Sequence, residues 1–283
     1  MKKLFIALGC IVAALGVLVL SLPTILHKAG LHPEHHGATF ELPGKRALVI
    51  TTSHGVLAAP GETEGPATGV MASELTHPYY TFLDGGMEVD VASIKGGEIP
   101  IDPQTLRFMV KSPEDERYLN DSIAQAKVKN SIPITQVDFD QYAMVFISGG
   151  WGAAYDLAQS PELAAKVSES YYGDKAAVIG GVCHGVLGLV NARARDGKLL
   201  IAGRRMTGVT DKQIKELGIE ITPLHPETAL REAGVIFESQ TAFRDMFATH
   251  VTVDDEQRFV TGQNQNSGLE TSHRMMQVLA ERE

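Results

Sequence analysis

Cysteine is scarce in this 283-residue chain: there are only Cys10, inside a hydrophobic N-terminal run, and Cys183, deep in the remainder. That separation argues against an intrachain disulfide, and one thiol in the folded part is compatible with either redox compartment. Basic clusters are missing as well. Lys and Arg total 25 against 34 Asp and Glu, a formal charge of −9, so no surface is expected to track phosphates and nucleic acid is not an expected partner. The acidic balance bears on solubility and carries no substrate preference. No internal repeat is evident. His54, His77, His184 and His250 lack ligand-like spacing, so no metal and no cofactor are implied. Glu74 and His77, three apart, share a helix face, with His77 read as a packing or capping residue.

What is present begins with a long apolar stretch. Lys2 and Lys3 precede residues 4–26, 23 residues without a charge, which as a helix span about 34 Å and are long enough to cross a bilayer. Positive residues ahead of the span keep residues 1–3 cytoplasmic and place the rest outside. An uncleaved membrane anchor is favoured over a cleaved signal peptide, because the apolar region is long and no small-x-small site follows it; cleavage would give a secreted protein. Lipidation at Cys10 is set aside, since too little apolar sequence precedes it. Residues 27–44 carry His27, His32, His35 and His36 among Pro and Gly and read as a solvated linker rather than a metal site.

With 44 % hydrophobic residues, the remaining roughly 240 residues suffice for one α/β domain, assigned to residues 45–283. Apolar β-rich runs at residues 46–52, 87–92, 143–148 and 176–180 alternate with helical patterns at 69–83, 114–128, 161–172 and 184–194. A strand-like stretch at 199–209, a short helix at 211–217, a hairpin at 248–261 and a closing helix at 270–280 follow. This alternation predicts a doubly wound, flavodoxin-like parallel sheet with helices on both faces, preceded by the transmembrane helix. Ligands bind such sheets outside the carboxyl ends of the strands, which selects the loop after Thr52, the turn Gly149, Gly150, Trp151, Gly152, and the turn around Cys183.

Cys183 lies in Gly180-Gly181-Val182-Cys183-His184-Gly185, after an apolar strand and at the opening of a helix. A sharp strand-to-helix turn of this kind presents a nucleophile, and flanking glycines permit the strained backbone. The helix N-terminus aimed at the sulfur favours the thiolate.

These motifs, together with Gly69 to Pro78 around Glu74, Gly86 to Ser93, Gly96-Gly97, Asp102-Pro103 and Gly203 to Asp211, resemble the class I glutamine amidotransferase-like superfamily in its PfpI-related branch, alongside the glutathione-independent glyoxalases. The resemblance covers about residues 45–282. It implies that Cys183 is the nucleophile, that Glu74 is an acidic partner sharing a proton with it, and that His184 is a base or orienting group. It further implies an oxyanion site from the glycine turn at Gly149 and Gly150, contributed by the Gly150 amide; Trp151, where the family often has His, either walls the pocket or stacks on substrate, or is a rim aromatic packing on the domain. Such proteins are commonly homodimers. The family's triad usually ends in an acid where this chain has Ile214, so either Asp211 or Glu216 substitutes from nearby or His184 lacks a carboxylate orienter. His225-Pro226-Glu227 looks like the His-x-Glu pair of true glutamine amidotransferases, but only 42 residues separate His225 from Cys183, and the match is read as coincidence.

The function this implies is a glyoxalase III or deglycase reaction on a small carbonyl substrate such as methylglyoxal, through a hemithioacetal on Cys183. Two alternatives use the same thiol: amide or peptide hydrolysis, which needs an orienter for His184, and a non-catalytic stress-response module in which Cys183 senses oxidants.

Overall fold

A computed structural model describes residues 2–282 of the chain. Helix α1 spans Lys2–Lys28 and contains Pro23; its stretch Gly9–Lys28 has a mean hydropathy of 2.4, none of it is buried, and it is long and apolar enough to cross a membrane. Strand β1 (Arg46–Thr51) follows, then α2 (Ala72–Asp84), β2 (Glu88–Ser93), α3 (Pro113–Leu119), α4 (Ser122–Lys129) and β3 (Ile132–Pro133). The chain continues through β4 (Met144–Ile147), α5 (Ala153–Asp156), α6 (Pro161–Tyr172) and β5 (Val178–Val182). A 3-10 helix, Cys183–Leu189, then precedes β6 (Arg205–Met206), α7 (Asp211–Leu217), α8 (Pro226–Glu232), β7 (Ile236–Phe237), the hairpin β8 (Val251–Val253) and β9 (Phe259–Gly262), and α9 (Gly268–Ala280).

Seven strands form one sheet in the order β3-β2-β1-β4-β5-β9-β8. All neighbours are parallel except β8 against β9. Successive strand residues point to opposite faces, and each face has its own core. Ala47 and Val49 of β1 join Met144 and Phe146 of β4 on the side of α2 and α9. Leu48 and Ile50 join Val145 and Ile147 on the side of α6 and the 3-10 helix. A sheet buried on both faces explains why its strands are continuously apolar rather than alternating. Because β1 connects outward to β2 while β4 returns on its other side, the strand order reverses between β1 and β4, and a crevice opens beyond their carboxyl ends.

The expected flavodoxin-like α/β fold is thus present, and four local expectations change. The helix read over residues 114–128 is two helices, broken where Asp121 caps α4 by accepting hydrogen bonds from the Ile123 and Ala124 amides. The helix read from residue 69 starts at Ala72. The helix after Cys183 is a 3-10 segment ending at Leu189. Of the strand-like stretch 199–209, only Arg205–Met206 forms a strand, paired with β7; Leu199 makes a single antiparallel bridge to Arg193. Nor is the segment after α1 solvated throughout: Leu31 and His32 are buried, at 4 % and 6 % exposure, and His35 stacks on His273 at 3.8 Å between ring centroids.

Arg204 ties the irregular stretch before β6 to the hairpin. Its guanidinium donates to Asp254, to the Tyr171 hydroxyl at 2.7 Å and to Glu256 at 3.0 Å. Asp254 is buried and also accepts the Arg258 and Phe259 amides, so removing the cation strands a buried carboxylate. Arg204→Ala is expected to destabilise the fold by about 3 kcal/mol, measurable as a lowered urea midpoint.

Candidate active site

Cys183 stands where the sequence placed it, at the end of β5 with φ +56°, a left-handed conformation rare for a residue with a side chain. The turn aims Sγ into the crevice, where the thiol is 5 % exposed. The backbone amides of His184 and Gly150 both reach the sulfur. Gly150 adopts φ +91°, which the turn after β4 requires to bring its amide inward. At Gly149 the constraint is space: a Cβ there would lie 2.5 Å from Glu74 Oε2 and 2.7 Å from the His184 nitrogen.

Glu74 comes from the first turn of α2, a helix buried along nearly its whole length. The Ser148 hydroxyl donates to the Glu74 carbonyl at 2.8 Å, fastening that turn to the end of β4. The carboxyl group faces Cys183 and is fully enclosed. Burial pushes its pKa up to about 8, opposed by hydrogen bonds from Cys183 and from the amides of Gly149 and Gly150. Burial also pushes the Cys183 thiol well up, and the neighbouring Glu74 charge adds to this; the two amides pull the other way without prevailing. The expectation that a helix end makes the resting thiol a thiolate is therefore corrected. A seven-residue 3-10 helix is a weak dipole source, and enclosure outweighs it. The two acids form one coupled unit.

His184 Nδ1 lies 3.5 Å from Cys183 Sγ. Burial lowers its pKa to about 3, with His225 adding to the effect, so the imidazole is neutral. Among the described residues no carboxylate is hydrogen-bonded to it. Ile214 is in the same core as Cys183, the Asp211 carboxylate accepts from Thr228, and Glu216 accepts the Asp245 amide and pairs with Lys212. Neither acid substitutes for the missing triad member. His225 is the histidine dismissed on spacing, yet the fold sets it beside His184. Chain separation measured the distance to Cys183 and missed that α8 packs against the 3-10 helix. Its companion Glu227 is taken by the Asp211 amide and Arg231, so no Cys-His-Glu triad forms.

A cavity of about 240 Å³ lies over the thiol, bordered by Glu74, Cys183, Gly150 and Trp151. Trp151 meets His184 edge-on at 5.2 Å. The loop after Thr52 is absent from its wall. Thr52 Oγ1 and the Ser53 amide are spent on Asp156, and the wall is completed by Met71, inside the Gly69 to Pro78 motif, and by residues such as Thr105 and Gln265 that no motif marked. His77, on the same helix as Glu74, instead faces Glu114 at 3.4 Å. Among the described residues no group of three His, Cys, Asp or Glu side chains is arranged to hold a metal ion.

Residues 66–223 match the model of the DJ-1/PfpI family. The chain belongs to the DJ-1/PfpI family. Its curated relatives include the glutathione-independent glyoxalase HSP31 of Saccharomyces cerevisiae, 30 % identical over 186 residues that cover 63 % of this chain and 73 % of the relative. Glyoxalase 3 of Candida albicans is 28 % identical over 221 residues, 74 % of this chain and 89 % of the relative. Among solved structures, glyoxalase III from Candida albicans superposes with a TM-score of 0.71 at 26 % identity, covering 83 % of this chain and 97 % of that one. Rapid Encystment Protein 24 kDa of Francisella tularensis gives 0.74 at 31 % identity, covering 83 % and 99 %. This DJ-1/PfpI protein is accordingly an enzyme.

The raised pKa of Glu74 has a consequence for stability. A carboxyl that holds its proton more tightly folded than unfolded contributes stability that is complete below about 4.5 and is lost as pH rises through about 8. Glu74→Gln, which carries no charge to bury, should melt at a higher temperature than the native protein at pH 8. The difference should shrink toward zero near pH 4, as followed by thermal circular dichroism.

Proposed function

We propose that this enzyme is a glutathione-independent glyoxalase of the glyoxalase III type, converting a 2-oxoaldehyde to the corresponding 2-hydroxy acid through a covalent adduct on Cys183. The observation that carries the reading is the thiol enclosed between the Glu74 carboxyl group and two backbone amides at the floor of a cavity. The names of the curated relatives support it.

The chemistry follows from those groups. The thiol adds across the aldehyde: a carbon–sulfur bond forms and the aldehyde oxygen gains the thiol's proton, relayed by Glu74, to give a hemithioacetal. Because the addition creates no net charge, a site that disfavours thiolate still permits it. Ionised Glu74, with a pKa near 8, is a stronger base than an ordinary carboxylate. It removes the proton from the former aldehyde carbon, leaving an enediol, and returns it to the adjacent carbon. The aldehyde carbon is thereby oxidised to a thioester while the ketone carbon is reduced to an alcohol, so no external oxidant or reductant is needed. Water then cleaves the thioester, releasing the hydroxy acid and the thiol, with the Gly150 and His184 amides holding the oxyanion. Neutral His184 beside the sulfur serves as a hydrogen-bond partner rather than a proton store.

Amide hydrolysis fits less well, because it requires an imidazolium to protonate the leaving amine, and burial holds His184 neutral. Oxidant sensing fits less well too, because it needs an exposed thiolate. For the N-terminus, the reading remains an anchor in α1 that holds the domain outside the cytoplasm.

The test is D- or L-lactate formation from methylglyoxal by the full chain in detergent. Cys183→Ala should fall to the buffer background, and Glu74→Gln should lose roughly a hundredfold to ten-thousandfold in kcat. Turnover by Cys183→Ala equal to that of the native protein would overturn the proposal. In the native enzyme kcat/KM should rise as pH passes through about 8, where the Cys183 and Glu74 unit gives up its first proton. That limb should vanish in Glu74→Gln.

A further inference from the structure

The segment that joins α1 to the domain is part of the cavity. Leu31 lines it together with Met71, Val110, Trp151, Leu217 and Met246, so one wall is built from residues that the sequence assigns to a tether. Two side chains hold that wall in place. The His32 amide donates to Asn266 Oδ1 at 2.9 Å, and Asn266 Nδ2 donates to the carbonyls of Gly30 at 2.9 Å and Met246 at 2.7 Å. The His32 ring, through Nε2, bonds the Val110 carbonyl at 2.6 Å. Leu31, Val110 and Met246 come from three distant parts of the chain and are stitched into one apolar surface.

Several polar side chains along the cavity are engaged with one another or with the backbone. Gln213 Nε2 donates to Gln265 Oε1 at 3.2 Å, Thr105 donates to the Asp102 carbonyl at 2.7 Å, and the Asp102 carboxylate accepts from Thr68 and the Gln104 amide. Gln104 and Arg107, which also border the cavity, are exposed to solvent at its edge. Phe108 and Met109, beside the wall residue Val110 in the chain, are exposed large apolar side chains, at 52 % and 44 %. Methylglyoxal would occupy only a fraction of about 240 Å³ and would leave the aliphatic wall in contact with nothing but water.

We infer that the substrate is a 2-oxoaldehyde carrying an aliphatic chain, and that Leu31, contributed by the segment after the N-terminal helix, is a specificity-determining residue that packs against this chain. The inference rests on the glyoxalase reading above and names the substrate class of that same site.

The full chain in detergent is assayed for hydroxy-acid formation from methylglyoxal, 2-oxobutanal, 2-oxohexanal and 2-oxooctanal. Each methylene buried against the wall should raise kcat/KM by about fourfold until the cavity is filled. In Leu31→Trp the indole takes up chain space, and the ratio of kcat/KM for 2-oxohexanal over methylglyoxal should fall by about tenfold or more. Val110→Phe narrows the same wall from another element and should lower the ratio likewise; it provides the comparison if Leu31→Trp fails to fold by circular dichroism. Turnover of methylglyoxal with kcat/KM flat or falling along the series would overturn the chain-binding inference and leave the glyoxalase reading standing. Absence of turnover for every aldehyde would overturn both.

Discussion

The site depends on enclosing an acid beside a thiol. Glu74 enters the space beyond the strand ends only because α2 is buried along its length and its first turn is fastened to the end of β4. Once there, the carboxyl group cannot ionise cheaply, and neither can Cys183 next to it. The Glu74 charge raises the cost of ionising Cys183 while the thiol's hydrogen bond eases that of Glu74, so the two behave as one coupled proton-holding unit. The glycines opposite follow from the same constraint, since the carboxyl group occupies the volume that any Cβ at Gly149 would need. The positive φ at Cys183 and at Gly150 supplies the remaining geometry, turning a side chain and an amide toward one point.

That arrangement explains how the chain can do without an acid at Ile214. A triad polarises a nucleophile through an imidazole that must gain a proton, and a fully buried imidazole does so poorly. When the acid sits directly against the sulfur, the imidazole is relieved of that task. The apolar Ile214 is consistent with its place in the core around Cys183.

Much of this was legible in the residue order. The alternation of apolar runs and helical patterns marked the doubly wound sheet, because strands buried on both faces are necessarily continuous in hydrophobicity. The elbow at Cys183, the glycine turn after β4 and Glu74 were all marked by motifs. What escaped was set by contacts between distant segments. Asp121 ended one helix and opened another through a side-chain cap that periodicity does not register. Enclosure reversed the expected direction of the thiol's pKa, and no local pattern measures enclosure. His225 was judged by its distance along the chain, whereas its place beside His184 depends on where α8 packs. The segment at residues 27–44, rich in His and Gly, has the composition of a tether. It docks because Asn266, more than two hundred residues away, offers its carboxamide to the backbone at Gly30 and His32.

That docking changes what the N-terminal region is in practical terms. A shortened chain beginning after residue 32, the natural choice for anyone wishing to remove a greasy helix before purification, would keep the sheet, the elbow and the acid. It would also lack Leu31 and the His32 contacts to Val110 and Asn266. In such a chain the cavity over Cys183 would be open on the side that Leu31 closes.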